Sequence, residues 1–138
     1  MAQESQLIKV DIRLYKKDEV PYEDFIKGAT EVYPTKAIPL MKKHGLVKWT
    51  TTAYPPHFRE PFRHALKEEM GRPEWVVPDH DLVMSYWVRS LDSLQALTTS
   101  REWDELEVDA QKITNVQIGQ FAVGHEIVQF QDNWAGGA

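Results

Sequence analysis

Several residue types and patterns are missing from this sequence of 138 residues, and each absence narrows what the protein is. There is no cysteine, which excludes disulfides and thiol chemistry. No apolar run approaches the roughly 20 residues that a membrane-spanning helix needs, so no membrane partner is expected. The first residues, MAQESQLIK, lack the basic and then apolar order of a secretory signal, which predicts a cytoplasmic protein.

Binding motifs for common partners and cofactors are also missing. A net charge of −5 with scattered basic residues argues against a nucleic-acid partner. No histidine and carboxylate cluster has the spacing of a metal site, and the short run Asp79–Asp81 is weak support for one. The sequence also lacks a glycine-rich phosphate loop and a serine nucleophile elbow. We therefore expect no metal and no cofactor.

The composition and length are those of one ordinary folded domain. The chain is 42% hydrophobic and 27% charged, close to average for such a protein. We predict a single domain over residues 1–138, with a core over about 7–128 and a loose C-terminal tail, QDNWAGGA. Residues 55–81 are too long for a simple connection, which predicts a lid-like insertion with a short helix, FRHALKEEM.

Four segments have the pattern of strands. In KVDIRLYKK, Val10, Ile12 and Leu14 alternate with polar or charged residues, so one face of the strand requires a core. LVKWTTTAY is rich in threonine and aromatic residues, which favour a pleated surface. The predicted strands cover residues 7–15, 46–54, 82–90 and 115–123.

Two helical regions lie between these strands. From Tyr22 to Tyr33 the apolar residues recur at three- and four-residue spacing, and Pro34 and Pro39 should each bend or restart the helix. Gly45 is a stop signal. The second region begins near Ser90, and Ser100 should cap a further helical turn.

The order strand–helix–strand, insertion, strand–helix–strand predicts an α+β, ferredoxin-like β-α-β-β-α-β domain. Such a sheet carries both helices on one face. The opposite face needs a cover, and a second copy of the chain is the simplest one. This predicts a homodimer.

The blocks KKHGLVKWTTT, YWVRSLDSLQALTTSREWDEL and FAVGHE resemble the fungal branch of the EthD-like family of secondary metabolism, over roughly residues 7–128. This resemblance implies a dimeric α+β barrel with a ligand pocket between each sheet and its helices. Proteins of this kind act on polyketide-like or terpenoid-derived metabolites as decarboxylases, cyclases or cofactor-free oxygenases, and others have no established activity.

The sequence departs from the family pattern at three histidine positions. Tyr33 stands where related proteins often have a helix histidine, and residues 49–53 replace a Tyr-Thr-Gln-x-His pattern with WTTTA. TSREW stands near the place of a His-Pro-x-x-His motif. A reaction that depends on these histidines would need another base.

Four residues are candidates for that catalytic role. His57 lies at the exit of the second strand, and imidazole titrates near neutral pH. Tyr33 and Tyr54 are phenols that can hold an enolate oxygen. Glu102 stands where some barrels have a catalytic histidine, and it could act as a base if it is buried. Each also has a structural interpretation: a loop histidine, core aromatic residues and an acidic residue favoured in a first helical turn.

Aromatic and small apolar residues would shape a pocket for a flat, hydrophobic metabolite. The substrate-binding candidates are Trp49, Tyr86, Phe25, Ala29 and Trp103.

The function predicted first is a cofactor-independent tailoring enzyme. It would act by acid/base chemistry on a small hydrophobic polyketide- or terpenoid-derived substrate, as a cyclase, isomerase, dehydratase or decarboxylase. One alternative is a cofactor-free, anthrone-type oxygenase, and another is a non-catalytic dimeric metabolite-binding protein.

In the barrel, Asp11 and Arg13 would point between the subunits, where buried charges require partners.

Overall fold

A computed structural model describes residues 6–132, and its centre is one antiparallel sheet of four strands. The strands lie side by side in the order β2–β3–β1–β4. Their pairing and chain order confirm the predicted α+β, ferredoxin-like class. The strands are β1 (Ile8–Leu14), β2 (Lys48–Ala53), β3 (Leu82–Val88) and β4 (Gln120–His125).

Helices occupy all three connections between the strands, as the sequence predicts. In chain order they are α1 (Tyr22–Lys27), a π-helical turn (Gly28–Val32), α2 (Tyr33–Lys43), a 3₁₀ turn (Pro56–Phe58), α3 (Arg59–Glu68), α4 (Leu91–Thr98) and α5 (Arg101–Ala110). Within the described part of the chain, every helix is too short or too polar to cross a membrane. Residues 133–138, most of the predicted tail, lie outside the described residues.

The strand alternation sorts side chains between the two faces of the sheet. Val10 is fully buried, and Ile12 and Leu14 pack against the same hydrophobic core, as the pattern of β1 predicts. The central strand β3 is buried at all of its positions. Alternate residues of β3 belong to the helix-facing core, whereas Val83 and Ser85 face a groove beneath the insertion. Both faces of this strand are therefore covered by the chain itself.

The prolines of the first helical region act differently from each other. Pro34 is at the start of α2, and the turn before it is π-helical, with the N–H of Tyr33 bonded to the carbonyl of Gly28. Because proline has no N–H and its ring crowds the preceding turn, a widened turn at this point is expected. Pro39, in contrast, lies inside α2, which continues through it, so the helix does not restart at this proline. The buried side chains Ala37 and Met41 hold the helix on both sides of Pro39.

The predicted helix ends are confirmed. Gly45 has a φ of 74°, in the left-handed region that a residue with a side chain rarely occupies. The hydroxyl of Ser100 accepts a hydrogen bond of 3.2 Å from the backbone N–H of Trp103, which makes it the N-cap of α5.

The fourth strand begins five residues later than the sequence predicts. Residues 115–119 form a turn, in which the side-chain oxygen of Asn115 accepts a 3.1 Å hydrogen bond from the N–H of Gln117. An asparagine that bonds the backbone two residues later is typical of turns. This local bond competes with strand pairing and delays β4 to Gln120.

Candidate active site

A cavity of about 180 Å³ lies between the sheet and the helices, where the family resemblance places a pocket. We call it the helix–sheet pocket. Ile12 and Leu14, on the apolar face of β1, form part of its floor. Its walls are mostly apolar and include Phe25, Ala29 and Trp103, all of which are substrate-binding candidates.

Three aromatic residues form one side of this site. The ring centroids of Tyr33 and Trp49 are 6.0 Å apart at an interplanar angle of 64°, an edge-to-face contact. Trp49 stacks on Tyr86 at 6.2 Å and 16°. Tyr33 and Tyr86 line the pocket directly, and Trp49 supports both of them. The Tyr86 hydroxyl donates to the sulfur of Met84 at 3.4 Å, and a thioether sulfur is a weak acceptor.

Both pocket tyrosines are held in the neutral, protonated form. Burial raises the pKa of Tyr33 well above its usual value, and the negative charge of Glu107 raises it further. Burial also raises the pKa of Tyr86, assisted by the neighbouring Tyr33. A protonated phenol is a hydrogen-bond donor at neutral pH. The pocket therefore offers two donors to an oxygen-bearing ligand.

The lining of the helix–sheet pocket also contains a carboxylate, that of Glu107. It lines the pocket, and its Oε1 accepts a hydrogen bond of 2.5 Å from the indole Nε1 of Trp103. Glu107 is exposed, which places it where the pocket opens to solvent. The sequence interpretation missed this residue, although Trp103 and Glu107 are four residues apart on α5 and so share one helix face.

The predicted catalytic residues do not come together in one place. Tyr33 lines the helix–sheet pocket, whereas Tyr54 lies on the opposite face of the sheet, with its ring centroid 4.4 Å from that of His80. His57 is exposed on the 3₁₀ turn and packs against Phe58 at 4.6 Å.

The fourth candidate, Glu102, is exposed on the surface of α5 and forms a 3.1 Å ion pair with Lys43. A backbone hydrogen bond and Lys43 hold the pKa of Glu102 below its usual value. Glu102 lines neither of the two cavities described in this section, and its pairing with Lys43 makes it less basic than usual, so it is poorly placed to act as a base. The condition attached to Glu102, that it be buried, is not met.

A second cavity, of about 960 Å³, lies on the other face of the sheet beneath the insertion. We call it the insertion groove. Its floor includes Asp11, Arg13 and Ser85. Asp11 accepts a 2.5 Å hydrogen bond from the Ser85 hydroxyl and lies 3.5 Å from the ammonium group of Lys9, while Arg13 donates to the amide oxygen of Gln120 at 3.4 Å. Both predicted charged residues thus have partners within the chain.

Histidine and acidic residues, which can bind metals, are dispersed over the described part of this structure. Between residues 6 and 132, no three histidine or acidic side chains are grouped closely enough to hold a metal ion.

The profile of the EthD domain matches residues 17–116, most of the chain. The chain belongs to the EthD domain family. Dehydratase iacD from the fungus Pestalotiopsis fici is 26% identical over 132 residues, which cover 96% of this chain and 94% of iacD. Together, the family and this relative support an enzyme.

Two solved structures share the fold at low sequence identity. An ethyl tert-butyl ether d (EthD) family protein from Bacillus halodurans is 18% identical with a TM-score of 0.53, over 88% of this chain and 99% of that one. SnoaB, a cofactor-independent oxygenase from Streptomyces nogalater, is 8% identical with a TM-score of 0.58, over 92% and 99%. These likenesses support the fold.

Proposed function

We propose that this protein is a cofactor-independent dehydratase of secondary metabolism that acts on a small hydrophobic, oxygenated substrate in the helix–sheet pocket. The observation that carries the proposal is the lining of one apolar cavity by a carboxylate, Glu107, and two protonated phenols, Tyr33 and Tyr86. A base and a proton donor are the groups that an elimination of water requires. The 26% identical relative is named a dehydratase, which favours this reaction over cyclisation, isomerisation or decarboxylation.

The proposed reaction is the elimination of water from a β-hydroxy carbonyl compound. Glu107 removes the proton next to the carbonyl group, and the electrons of that C–H bond form the new C=C bond. Tyr86 donates a hydrogen bond to the carbonyl oxygen as negative charge develops there. The C–O bond to the hydroxyl group then breaks, and Tyr33 supplies the proton that makes the leaving group water. Transfer of the proton from Glu107 to the Tyr33 phenolate restores both groups.

The Trp103 indole has a positioning role in this mechanism. Its N–H is fixed on one oxygen of Glu107, so the other oxygen is left for the substrate. Trp103 is itself buried, so the hydrogen bond starts from a rigid support. Holding the base in one orientation reduces the ordering required in the transition state.

The proposal is tested by incubating the purified protein with β-hydroxy carbonyl candidates and following the loss of water by mass spectrometry. Glu107→Gln should lower kcat by a factor of about 100 to about 10,000, the usual contribution of a positioned acid or base. Glu105→Gln is the matched control, because Glu105 is an exposed glutamate on the same helix that pairs with Arg101. If both variants retain wild-type turnover, Glu107 is not the base. If the wild type converts none of the candidates but binds them, the metabolite-binding alternative replaces the enzyme.

We also propose that the functional form is a homodimer. Phe121 and Val123 leave 62% and 50% of their surfaces exposed on β4, which is an edge strand. Exposed apolar residues beside an unpaired strand edge favour association with another chain. A second copy of the same surface is the common solution in soluble proteins.

A further inference from the structure

The helix–sheet pocket is small for a ligand site. Its volume of about 180 Å³ is below the roughly 300 Å³ at which binding sites for drug-sized molecules begin. It is slightly larger than an engineered apolar cavity of about 150 Å³ that holds benzene. The buried part of a substrate is therefore about one ring with a short polar substituent. The pocket lies on the helix side of the sheet, so a second subunit on the opposite face would not fill this volume.

The charge of the lining also limits the substrate. Among the described residues that line the pocket, Glu107 alone is charged, and its negative charge acts on both Tyr33 and Tyr86. A carboxylate or phosphate group in this pocket would lie near a like charge and without a cation, which is costly in an apolar site. Neutral carbonyl and hydroxyl oxygens, in contrast, can accept hydrogen bonds from the two phenols. The lining therefore favours an uncharged substrate.

Gly28 lines the pocket in a backbone conformation that does not require glycine. Its φ of −60° and ψ of −44° are those of an ordinary right-handed helix. Glycine is less favourable than alanine inside a helix, so its presence here has another reason. That reason is close packing, because a Cβ atom at Gly28 would lie 2.7 Å from Cδ1 of Ile113. Carbon atoms in contact are normally about 3.5–4.0 Å apart.

Ile113 is anchored on the other side of this contact. Its N–H donates a hydrogen bond of 3.2 Å to the carbonyl of Ala110, and its carbonyl accepts one of 3.0 Å from the N–H of Lys17. These two bonds fix the backbone from which the side chain extends. The side chain packs against the hydrophobic core and lines the pocket together with Gly28. The contact between Gly28 and Ile113 is thus part of the wall that limits the size of the pocket.

We propose that the helix–sheet pocket selects an uncharged substrate with a single ring, and that Gly28 and Ile113 set this size limit. This specificity rests on the proposed function, since it defines the substrate of the same site. The ring packs against the apolar walls, and its oxygen substituent accepts hydrogen bonds from Tyr33 and Tyr86. Ile113 blocks a second fused ring. Gly28 leaves room for Ile113, and a larger residue in its place would push Cδ1 of Ile113 towards the cavity.

The experiment measures binding of acetophenone, 2-acetonaphthone and benzoate to the intact protein by titration followed by protein NMR. None of these probes has a hydroxyl group that can leave as water, so binding is measured separately from dehydration. We expect acetophenone to shift the amide signals of residues that line the pocket. The second fused ring of 2-acetonaphthone should weaken binding by about 10-fold or more, the usual effect of extra carbon atoms in an apolar pocket.

Benzoate tests the charge preference, because it has the ring of acetophenone and a negative charge. It should bind at least about 10-fold more weakly than acetophenone, since an unpaired charge is costly to bury. Glu107→Gln should reduce this difference by removing the like charge, whereas Glu105→Gln, an exposed position paired with Arg101, should leave it unchanged.

Variants of Ile113 and Gly28 test the size limit through a gain of binding. Ile113→Ala should raise the affinity for 2-acetonaphthone by about 10-fold, because it removes the carbon atoms that block the second ring. Ile113→Val is a milder variant that should act in the same direction. Ile118→Ala is the matched control, since Ile118 is 47% exposed and lines neither cavity. Gly28→Ala should weaken acetophenone binding, and adding Ile113→Val should restore it, because valine has no Cδ1 atom.

Circular dichroism confirms that each variant is folded. The proposal is overturned if acetophenone does not bind, if the wild type binds 2-acetonaphthone or benzoate as tightly as acetophenone, or if Ile113→Ala acts no differently from Ile118→Ala. A protein that shows these preferences but dehydrates no β-hydroxy carbonyl compound would overturn the proposed reaction and leave the specificity of the pocket in place.

Discussion

Nη2 of Arg59 lies 2.8 Å from Oδ1 of Asp81, in a pair whose side chains are only 15% and 8% exposed. The same nitrogen lies 2.9 Å from the carbonyl oxygen of Tyr54 and 3.0 Å from that of His80. One guanidinium thus joins the two ends of the insertion. The second oxygen of Asp81 accepts a 3.0 Å hydrogen bond from the backbone N–H of Lys16, which ties the insertion to the chain just after β1.

We expect Arg59→Met to lower the free energy of unfolding by about 3 kcal/mol, because removing one partner of a buried ion pair leaves the other charge uncompensated. Urea denaturation followed by circular dichroism measures this change. Arg101→Met is the control, since Arg101 is 91% exposed and lies 3.7 Å from its partner. Equal unfolding midpoints for the two variants would show that the Arg59 pair does not hold the insertion.

The pocket tyrosines should make the protein less stable at high pH. Their folded-state pKa values are raised, mainly by burial, above the value of about 10 for an unfolded tyrosine. Above that pH the unfolded chain binds fewer protons than the folded chain, so the free energy of unfolding falls as pH rises. Urea titrations from about pH 8 to about pH 11 should show a shallower fall for Tyr33→Phe than for the wild type. Parallel profiles would contradict the burial of the Tyr33 hydroxyl.

His57 offers a direct test of the catalytic residues predicted from the sequence. Its side chain is exposed on the 3₁₀ turn, outside the helix–sheet pocket. We expect His57→Gln to change kcat/KM for dehydration by less than about twofold, because the substituted group does not reach the proposed reacting atoms. A loss comparable with that of Glu107→Gln would instead assign the chemistry to His57 and the insertion.

The proposed homodimer predicts a change of assembly when the apolar edge is altered. Phe121→Lys places a charge on β4 where the phenylalanine is 62% exposed. Lysine on an edge strand opposes association with other strands, so analytical ultracentrifugation should show a shift from dimer to monomer. Val108→Lys is the matched control, since Val108 is 60% exposed but lies on α5. A wild type that sediments as a monomer would remove the basis of this prediction.

Much of the fold could be predicted because local rules and burial agree. The alternation of Val10, Ile12 and Leu14, the cap at Ser100 and the left-handed Gly45 each act over a few residues, and each appears where the sequence predicts it. Pro39 differs because tertiary packing overrides a local preference.

The site was harder to predict, since it depends on which face each side chain occupies. Trp49 and Tyr54 are five residues apart along β2 and its continuation, and an odd separation places them on opposite faces of a sheet. This parity alone is enough to separate Tyr54 from the residues around Trp49. Glu107 could have been found from its four-residue spacing to Trp103, but the close approach of Gly28 to Ile113 depends on packing that no sequence pattern reports.

A single layer of strands separates the helix–sheet pocket from the insertion groove, so consecutive residues of β1 line different cavities. Ile12 lines the first and Arg13 lines the second. A deletion of one residue within β1 would exchange the two linings, placing a guanidinium in the apolar pocket and an isoleucine in the groove. Insertions and deletions are therefore tolerated only in the connections between strands. Within the strands, the linings of the two cavities can change only by substitution of residues.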